Sequence, residues 1–317
     1  MAVDRDHLGA AVGPRPGTAR PPAAGRPGEI RGDSVIEVLA PGPLATIQDL
    51  GRPGFAAVGV GRSGAADRAA LTLANRLVAN PEGAACVETL LGGLTVRALR
   101  QVWVAIAGAP APATVDGTPA GHHALFTLRP GQRLRLGTPP TGLRTYLAVR
   151  GGVDVPPVLG SRSRDTLSGI GPEPLAVGTL LPIGPEPPAW PVTEVAPVPV
   201  PPGGPVTLRA IRGPRDHFLT DPLALRRDGW TVSSRSDRIG LRLTGNVIPV
   251  DPAAAGIPSE GLARGAVQLP PGGEPVVFLA DHPTTGGYPV VAVLLDADVD
   301  RASQLRPGQP VRIALTD

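Results

Sequence analysis

Apolar residues along this chain fall in short runs, each closed by glycine or proline. Residues 34–40 (SVIEVLA), 85–90, 94–98, 102–107, 124–128, 133–136 and 145–149 read as strands. Pro41-Gly42-Pro43, Gly92-Gly93, Asp116-Gly117 and Pro130-Gly131 supply turns between them. Further on, 275–280 (PVVFLA) and 290–295 (VVAVLL) are continuous apolar runs of the kind buried on both faces. One stretch has helical spacing instead. Ala70, Leu73, Ala74, Leu77 and Val78 form one stripe, with Ser63 or Gly64 as the cap and Asp67 in the first turn, where a carboxylate suits the positive end of the helix dipole. Asn80-Pro81 ends it. Asn75 lies near the stripe and needs a hydrogen-bond partner if buried.

The strand pattern occurs twice. LRPGQRLRL at 128–136 returns as LRPGQPVRI at 305–313, each a turn entering a strand with alternating arginines. IEVLAPGP at 36–43 loosely matches LRAIRGP at 208–214, and VAIAGAPAP at 104–112 holds the place that VFLADHPTT at 277–285 has later. Duplicated strand-rich parts predict a mainly β fold of two similar antiparallel β-barrels with a few short helices. The barrels are assigned to 34–184 and 206–317. The proline-dense 185–205 is a semi-rigid linker, and residues 1–33, dominated by alanine, arginine, glycine and proline, are a disordered tail.

Composition narrows the chemistry. The 317 residues include 42 glycines and 41 prolines, which suits short strands and turns. The net charge of +3 is spread among both signs, so no basic strip points to nucleic acid. Every basic side chain apart from histidine is arginine, which excludes a Schiff-base lysine, a P-loop lysine and a biotinylated lysine within this chain. Cys86 is the only cysteine and is read as a buried small hydrophobe ahead of a catalytic thiol; an internal disulfide or a cysteine-cluster metal site is excluded. No run resembles a membrane span or a secretory signal, so the expected location is cytoplasmic.

Four places carry candidate chemistry. The loop LADHPTTGGYPV at 279–290 offers the Thr284 and Thr285 hydroxyls, Gly286 and Gly287, which allow positive φ and close backbone approach, and the flat face of Tyr288. It can present consecutive N–H groups to an anion or carbonyl, or be an ordinary hairpin loop. Gly59, Gly61 and Gly64 match G-x-G-x-x-G, but Pro53 and Gly54 interrupt the preceding run and no βαβ unit follows, which argues against a dinucleotide site. His122-His123 has no third ligand at metal spacing and reads as a pair of polar residues on the surface. Ser161, Arg162 and Ser163 between glycines hold an anion or form a solvated loop.

TIQDLGRPG, SGAADR, ANRLVANP, ETLLGG, YLAVRGGVDVPPVLGSRS, SDRIGLRL, GAVQLPPGGEP and TTGGYP together, in that order, resemble the biotin-dependent carboxyltransferase-like family. That family includes the C subunit of bacterial 5-oxoprolinase, allophanate hydrolase subunit 2-like proteins and half of the urea carboxylase carboxyltransferase domain. The resemblance implies two cyclophilin-like barrels and a hetero-oligomer with a homologue of the B subunit of 5-oxoprolinase and with its metal-dependent hydrolase, the A subunit. The implied reaction is ATP-dependent hydrolysis of 5-oxo-L-proline to L-glutamate, with ATP as co-substrate, no metal and no biotin attached to this chain. Two alternatives stand beside it: the carboxyltransferase component of a biotin-dependent urea or amide carboxylase, and a non-catalytic partner that sequesters a kinase inhibitor resembling the B subunit. The motif residues carried over are Ser63, Asp67, Asn75, Ser236, Asp237, Arg238, Gln268, Thr284, Thr285, Gly286, Gly287 and Tyr288. Arg238, Asp237, Thr285 and Gln268 are assigned to catalysis and the others to substrate binding. Arg238 would grip a substrate carboxylate, or instead lock Asp237 in a turn; Thr285 and the glycine N–H groups would face the amide oxygen. The chain departs from the family pattern at Gly61, Ala66 and Val290, where relatives usually carry proline and methionine and often lysine.

Overall fold

The computed structural model describes residues 34–316; the tail predicted for 1–33 lies outside them. The first part of the chain builds two antiparallel sheets. One runs, in spatial order, Leu180–Pro182, Ser34–Pro41, Leu94–Ala98, Arg133–Leu136, Ala113–Val115 and Thr118–Ala120. The other runs Leu44–Gln48, Cys86–Leu90, Arg144–Val149, Val102–Gly108 and Leu125–Leu128.

The second sheet explains why its strands read as unbroken apolar runs. All six residues of Arg144–Val149 are buried. Leu147 and Val149 join Val104, Ile106, Ile36 and Val38 in the core between the sheets. The alternate residues Tyr146, Ala148, Ala105 and Ala107 pack on the other side, beneath helix α1 (Arg68–Leu77). Alanines on that face let the helix approach, and burying Leu71 and Leu77 contributes roughly 1.5–3 kcal/mol each. The cap is Asp67, whose Oδ1 accepts from Ala70 N–H at 2.9 Å, and not Ser63 or Gly64 as expected. Asn75 is fully buried and satisfied: Nδ2 donates to Glu82 O and Ala84 O, and Oδ1 accepts from Asn80 Nδ2.

The second part closes into a seven-stranded barrel ordered Val206–Arg212, Val290–Leu294, Ala266–Gln268, Val276–Phe278, Gly240–Thr244, Trp230–Val232 and Pro310–Leu315. The last strand returns to the first as a parallel pair, so closure leaves no free edge. The repeated LRPGQ segments form the same turn twice. Gln132 Oε1 accepts from Arg129 N–H at 2.8 Å, and Gln309 Oε1 from Arg306 N–H at 3.1 Å. Helix α2 (Asp296–Ala302) follows the strand Val290–Leu294 and brings Asp300 to α1, where its carboxylate accepts from Arg68 N–H at 3.0 Å and Ala69 N–H at 3.3 Å.

Residues 185–205 are fastened along much of their length. Leu125 N–H donates to Glu194 O and Ala196 N–H to His123 O. Arg150 donates to Pro187 O and Ala189 O, and its guanidinium lies 4.7 Å from the ring centroid of Trp190, which meets Trp103 edge-on. Gln309 Nε2 then takes the carbonyls of Pro202 and Gly204. Arg150→Ala should free this strap at its first anchor. Limited proteolysis is expected to cut within 185–196 at least several-fold faster than in the parent protein, with the rest of the chain resistant.

Candidate functional site

A cleft of about 460 Å³ opens where the first part of the chain meets the barrel. Leu44, Leu90 and Leu143 wall one side; Ile239, Leu279 and Leu305 wall the other. Its floor is charged, made by Glu88, Arg144 and Arg238. Glu88 comes from the strand Cys86–Leu90, Arg144 opens the strand Arg144–Val149, and Arg238 sits just ahead of Gly240–Thr244.

Arg238 is only 4% exposed, and four of its five N–H groups are bonded within the chain. Nε donates to Asp281 Oδ2 at 2.8 Å and Nη2 to Asp281 Oδ1 at 3.1 Å and Gly64 O at 2.6 Å; Nη1 bonds Glu88. Asp281 in turn accepts from Ser63 Oγ at 2.6 Å, Thr166 Oγ1 at 2.7 Å and Thr166 N–H at 2.9 Å. Glu88 Oε2 accepts from Tyr146 Oη at 2.7 Å and Ala66 N–H at 3.0 Å, and Arg144 Nε lies 3.4 Å from Oε1. Burial alone would raise both carboxyls. The Arg238 and Arg144 charges, with the Tyr146 and Ala66 donors, outweigh it at Glu88, and Arg238, Ser63 and Thr166 do so at Asp281, so both stay below the usual carboxylate range. For Arg238 burial works against the charge, and the two carboxylates overcome it.

The role assigned to Arg238 from sequence is therefore corrected. It cannot grip a substrate carboxylate while two carboxylates of its own chain occupy it. Nor does it lock Asp237, whose Oδ1 accepts instead from Ile239 N–H at 2.8 Å and Gly240 N–H at 3.0 Å. Ser236 Oγ accepts from Arg242 N–H at 3.0 Å, which shapes the same turn. The cleft cation with donors to spare is Arg144, which sequence reasoning missed. Nη1 bonds Ser303 O, and Nη2 has no hydrogen bond among the described residues. A glutamate inside the apolar run CVETL was the one signal of this floor readable in advance.

The structure divides the predicted site. Ser236, Asp237 and Arg238 line the cleft, and Ser63 lies behind it on Asp281. Gln268 and Thr284 to Tyr288 are not among the lining residues. Thr285–Gly286 pairs with Glu260–Gly261 in a separate two-stranded ribbon, Gln268 Nε2 donates to Tyr288 O at 3.0 Å, and the Tyr288 side chain is about half exposed. Neither Gly286 nor Gly287 is among the positive-φ residues. A Cβ at Gly286 would fall 2.8 Å from Gln268 Nε2 and 2.9 Å from Leu262 Cδ1, the ends of two side chains that would have to shift, so close packing and not handedness is what a larger residue would meet there. The serines at 161 and 163 are neither in a solvated loop nor open to a free anion: both are buried, and Ser161 Oγ, Ser163 Oγ and Arg162 N–H donate to the chain's own Asp49 at 2.7, 2.5 and 2.6 Å. His122 and His123 are not surface residues; His123 is buried and His122 half-buried. Cys86 is buried, with its thiol pushed up by burial, which fits a packing role. Among the described residues no cluster of His, Cys, Asp and Glu suits a metal, and no helix is long and apolar enough to cross a membrane.

Residues 58–315 match the family model for the carboxyltransferase domain, subdomain A and B. The chain belongs to that family. It is 38% identical to the C subunit of the 5-oxoprolinase of Escherichia coli (strain K12) over 282 residues, covering 87% of this chain and 90% of that one. Among solved structures it resembles TTHA0988, with a TM-score of 0.82 and 34% identity over 96% of this chain and 59% of that one. It also resembles the urea amidolyase of K. lactis, with a TM-score of 0.84 and 27% identity over 90% of this chain and 19% of that one. The chain thus spans less than two thirds of those two longer proteins. The three departures from the family pattern fall at structured places: Gly61 packs toward His282 O, Ala66 is buried and donates to Glu88, and Val290 is buried in the barrel wall.

The buried charges generate two predictions. Arg238→Ala leaves Asp281 and Glu88 without their shared cation and should cost about 3–5 kcal/mol, read by denaturant unfolding. Asp67 behaves in the opposite sense. Burial, then the Asp300 charge, pushes its carboxyl up to about 6 against the Gln304 and Ala70 hydrogen bonds. A raised folded-state value means that stability from this group is complete below the unfolded carboxyl range and is lost as pH rises through about 6. Unfolding of wild type and Asp67→Asn at pH 4 and pH 7.5 should show wild type losing on the order of 2 kcal/mol relative to the variant at the higher pH.

Proposed function

We propose that this chain is the C subunit of a 5-oxoprolinase, acting with a homologue of the B subunit and with the metal-dependent hydrolase, the A subunit, in ATP-dependent opening of 5-oxo-L-proline to L-glutamate. The observation that carries this reading is 38% identity to the E. coli protein over nine tenths of that protein's length. The cleft agrees with it chemically. A five-membered lactam bearing a carboxylate presents an apolar ring and one negative charge, and the cleft has leucine walls and, in Arg144, a cation with free donors. When bound, ATP would supply the activation of the lactam carbonyl toward water, leaving as ADP and phosphate. The residues of this chain bind and orient: Arg144 holds the carboxylate, Glu88 and Ser303 hold Arg144, and the Leu90, Leu143 and Leu305 side chains exclude water from the ring.

A second reading, a carboxyltransferase part acting on urea or a similar amide, is favoured by the likeness to the K. lactis urea amidolyase. Copurification with the proteins encoded beside it, followed by ADP release with 5-oxoproline or urea, separates the two. 5-Oxoproline-dependent ADP release with a hydrolase partner present supports the first. A biotin carboxylase and carrier among the neighbours, with urea-dependent release, supports the second. In the reconstituted complex, Arg144→Ala is expected to raise KM for 5-oxoproline by roughly 10- to 100-fold, the loss of one charge-assisted contact. An unchanged KM would remove Arg144 from the site.

A further inference from the structure

A second cavity, about 580 Å³, lies on the other side of Gln304 from the cleft. Helices α1 and α2 form one wall, and the prolines and valines of 198–202 close it like a strap. Leu73 and Val200 give it apolar surface, while Asp67, Asp300, Gln304 and His123 supply its polar atoms. Gln304 is saturated: Oε1 accepts from Leu143 and Arg144 N–H, and Nε2 donates to Asp67 Oδ2 at 2.8 Å and Arg144 O at 3.0 Å. His123 is different. It is 6% exposed, its backbone N–H and C=O are held by Ile106 and Ala196, and its imidazole makes no hydrogen bond among the described residues. A polar ring bonded to nothing in its own chain, with its nitrogens open on a cavity, can take a hydrogen bond from a donor that enters there.

The charges decide what kind of ligand. Two carboxylates line the cavity: Asp300 is paired with Arg264 and takes the Arg68 and Ala69 N–H groups, whereas Asp67 has no ion pair among the described residues, and the cations at the rim are tied elsewhere, Arg76 to Glu82 and Arg301 to Asp298. Burial, then the neighbouring His122, push the His123 imidazole down to about 4, so near neutral pH it is uncharged and can accept a hydrogen bond. We propose that this cavity binds a small organic ammonium ion, its N–H groups directed to Asp67 and His123 and its apolar body against Leu73 and Val200. Such a site is separate from the cleft assigned to the lactam, and it adjoins the same arginine through Gln304.

The test uses the full chain and piperidinium as probe, with the uncharged ring isostere tetrahydropyran as control, in titration calorimetry near pH 7.5. Saturable piperidinium binding is expected, roughly 10-fold or more tighter than tetrahydropyran. It should weaken by about 10-fold in Asp67→Asn and be lost in Leu73→Trp and in Val200→Trp, two independent cavity-filling variants whose folding is checked by circular dichroism. The proposal is overturned if piperidinium does not bind, if tetrahydropyran binds as well, if Asp67→Asn leaves affinity unchanged, or if a folded cavity-filling variant keeps the binding. Because the readout is probe binding to this chain alone, its failure leaves the 5-oxoprolinase reading untouched.

Discussion

Arg238 is a cation taken out of water and held between two carboxylates of different origin. Asp281 belongs to the barrel, Glu88 to the sheet of the first part, and neither is tolerable in the interior without the guanidinium. The rest of the architecture answers to that requirement. Ser63, Thr166, Tyr146 and the Ala66 N–H fill the remaining lone pairs, so the cluster is satisfied as a unit and its charge is distributed over two arginines and two acids. A group that spends four of its five N–H groups on its own chain shapes the floor of a cleft and has no fork left for a carboxylate that enters it. That leaves Arg144, with donors unengaged, as the cation open to a ligand.

The duplication seen in the sequence produces similar pieces with different fates. The paired LRPGQ turns are closed by the same glutamine bond, yet only the second part closes its strands into one hydrogen-bonded ring, and it does so with a parallel pair. The first part leaves its second sheet covered by α1, and α1 starts on a carboxylate of α2. Both cavities arise at this junction. Gln304 lies between them, bonding Asp67 on one side and the backbone of Arg144 on the other.

Much of the fold was legible in the residues themselves. Continuous apolar runs marked strands buried on both faces, and the i, i+3, i+4 stripe marked α1, because periodicity reports how many faces an element buries. Short segments escaped: Leu180–Pro182 is an edge strand carrying proline, and Ala113–Val115 with Thr118–Ala120 is a small hairpin, each too brief to show a period. The ordered motifs determined the family. What local pattern could not decide was which of two neighbouring functions a polar residue serves. Asp67 became the cap in place of Ser63, and Arg238 became a strut, because each answer depends on partners more than a hundred residues away in the chain, such as Glu88 for Arg238 and Asp281 for Ser63. Likewise the Thr-Thr-Gly-Gly loop and Arg238 lie in one sequence motif set but serve different surfaces, since pairing with Glu260–Gly261 draws the loop away from the cleft lining. Sequence by itself settled kinship, helix α1 and most strands of the first part, which rest on ordered identity and local periodicity, and it missed the strands Leu44–Gln48, Trp230–Val232 and Gly240–Thr244 and helix α2; only the tertiary structure decided which charges neutralise each other and which remain free, because electrostatic pairing is a property of distance in space.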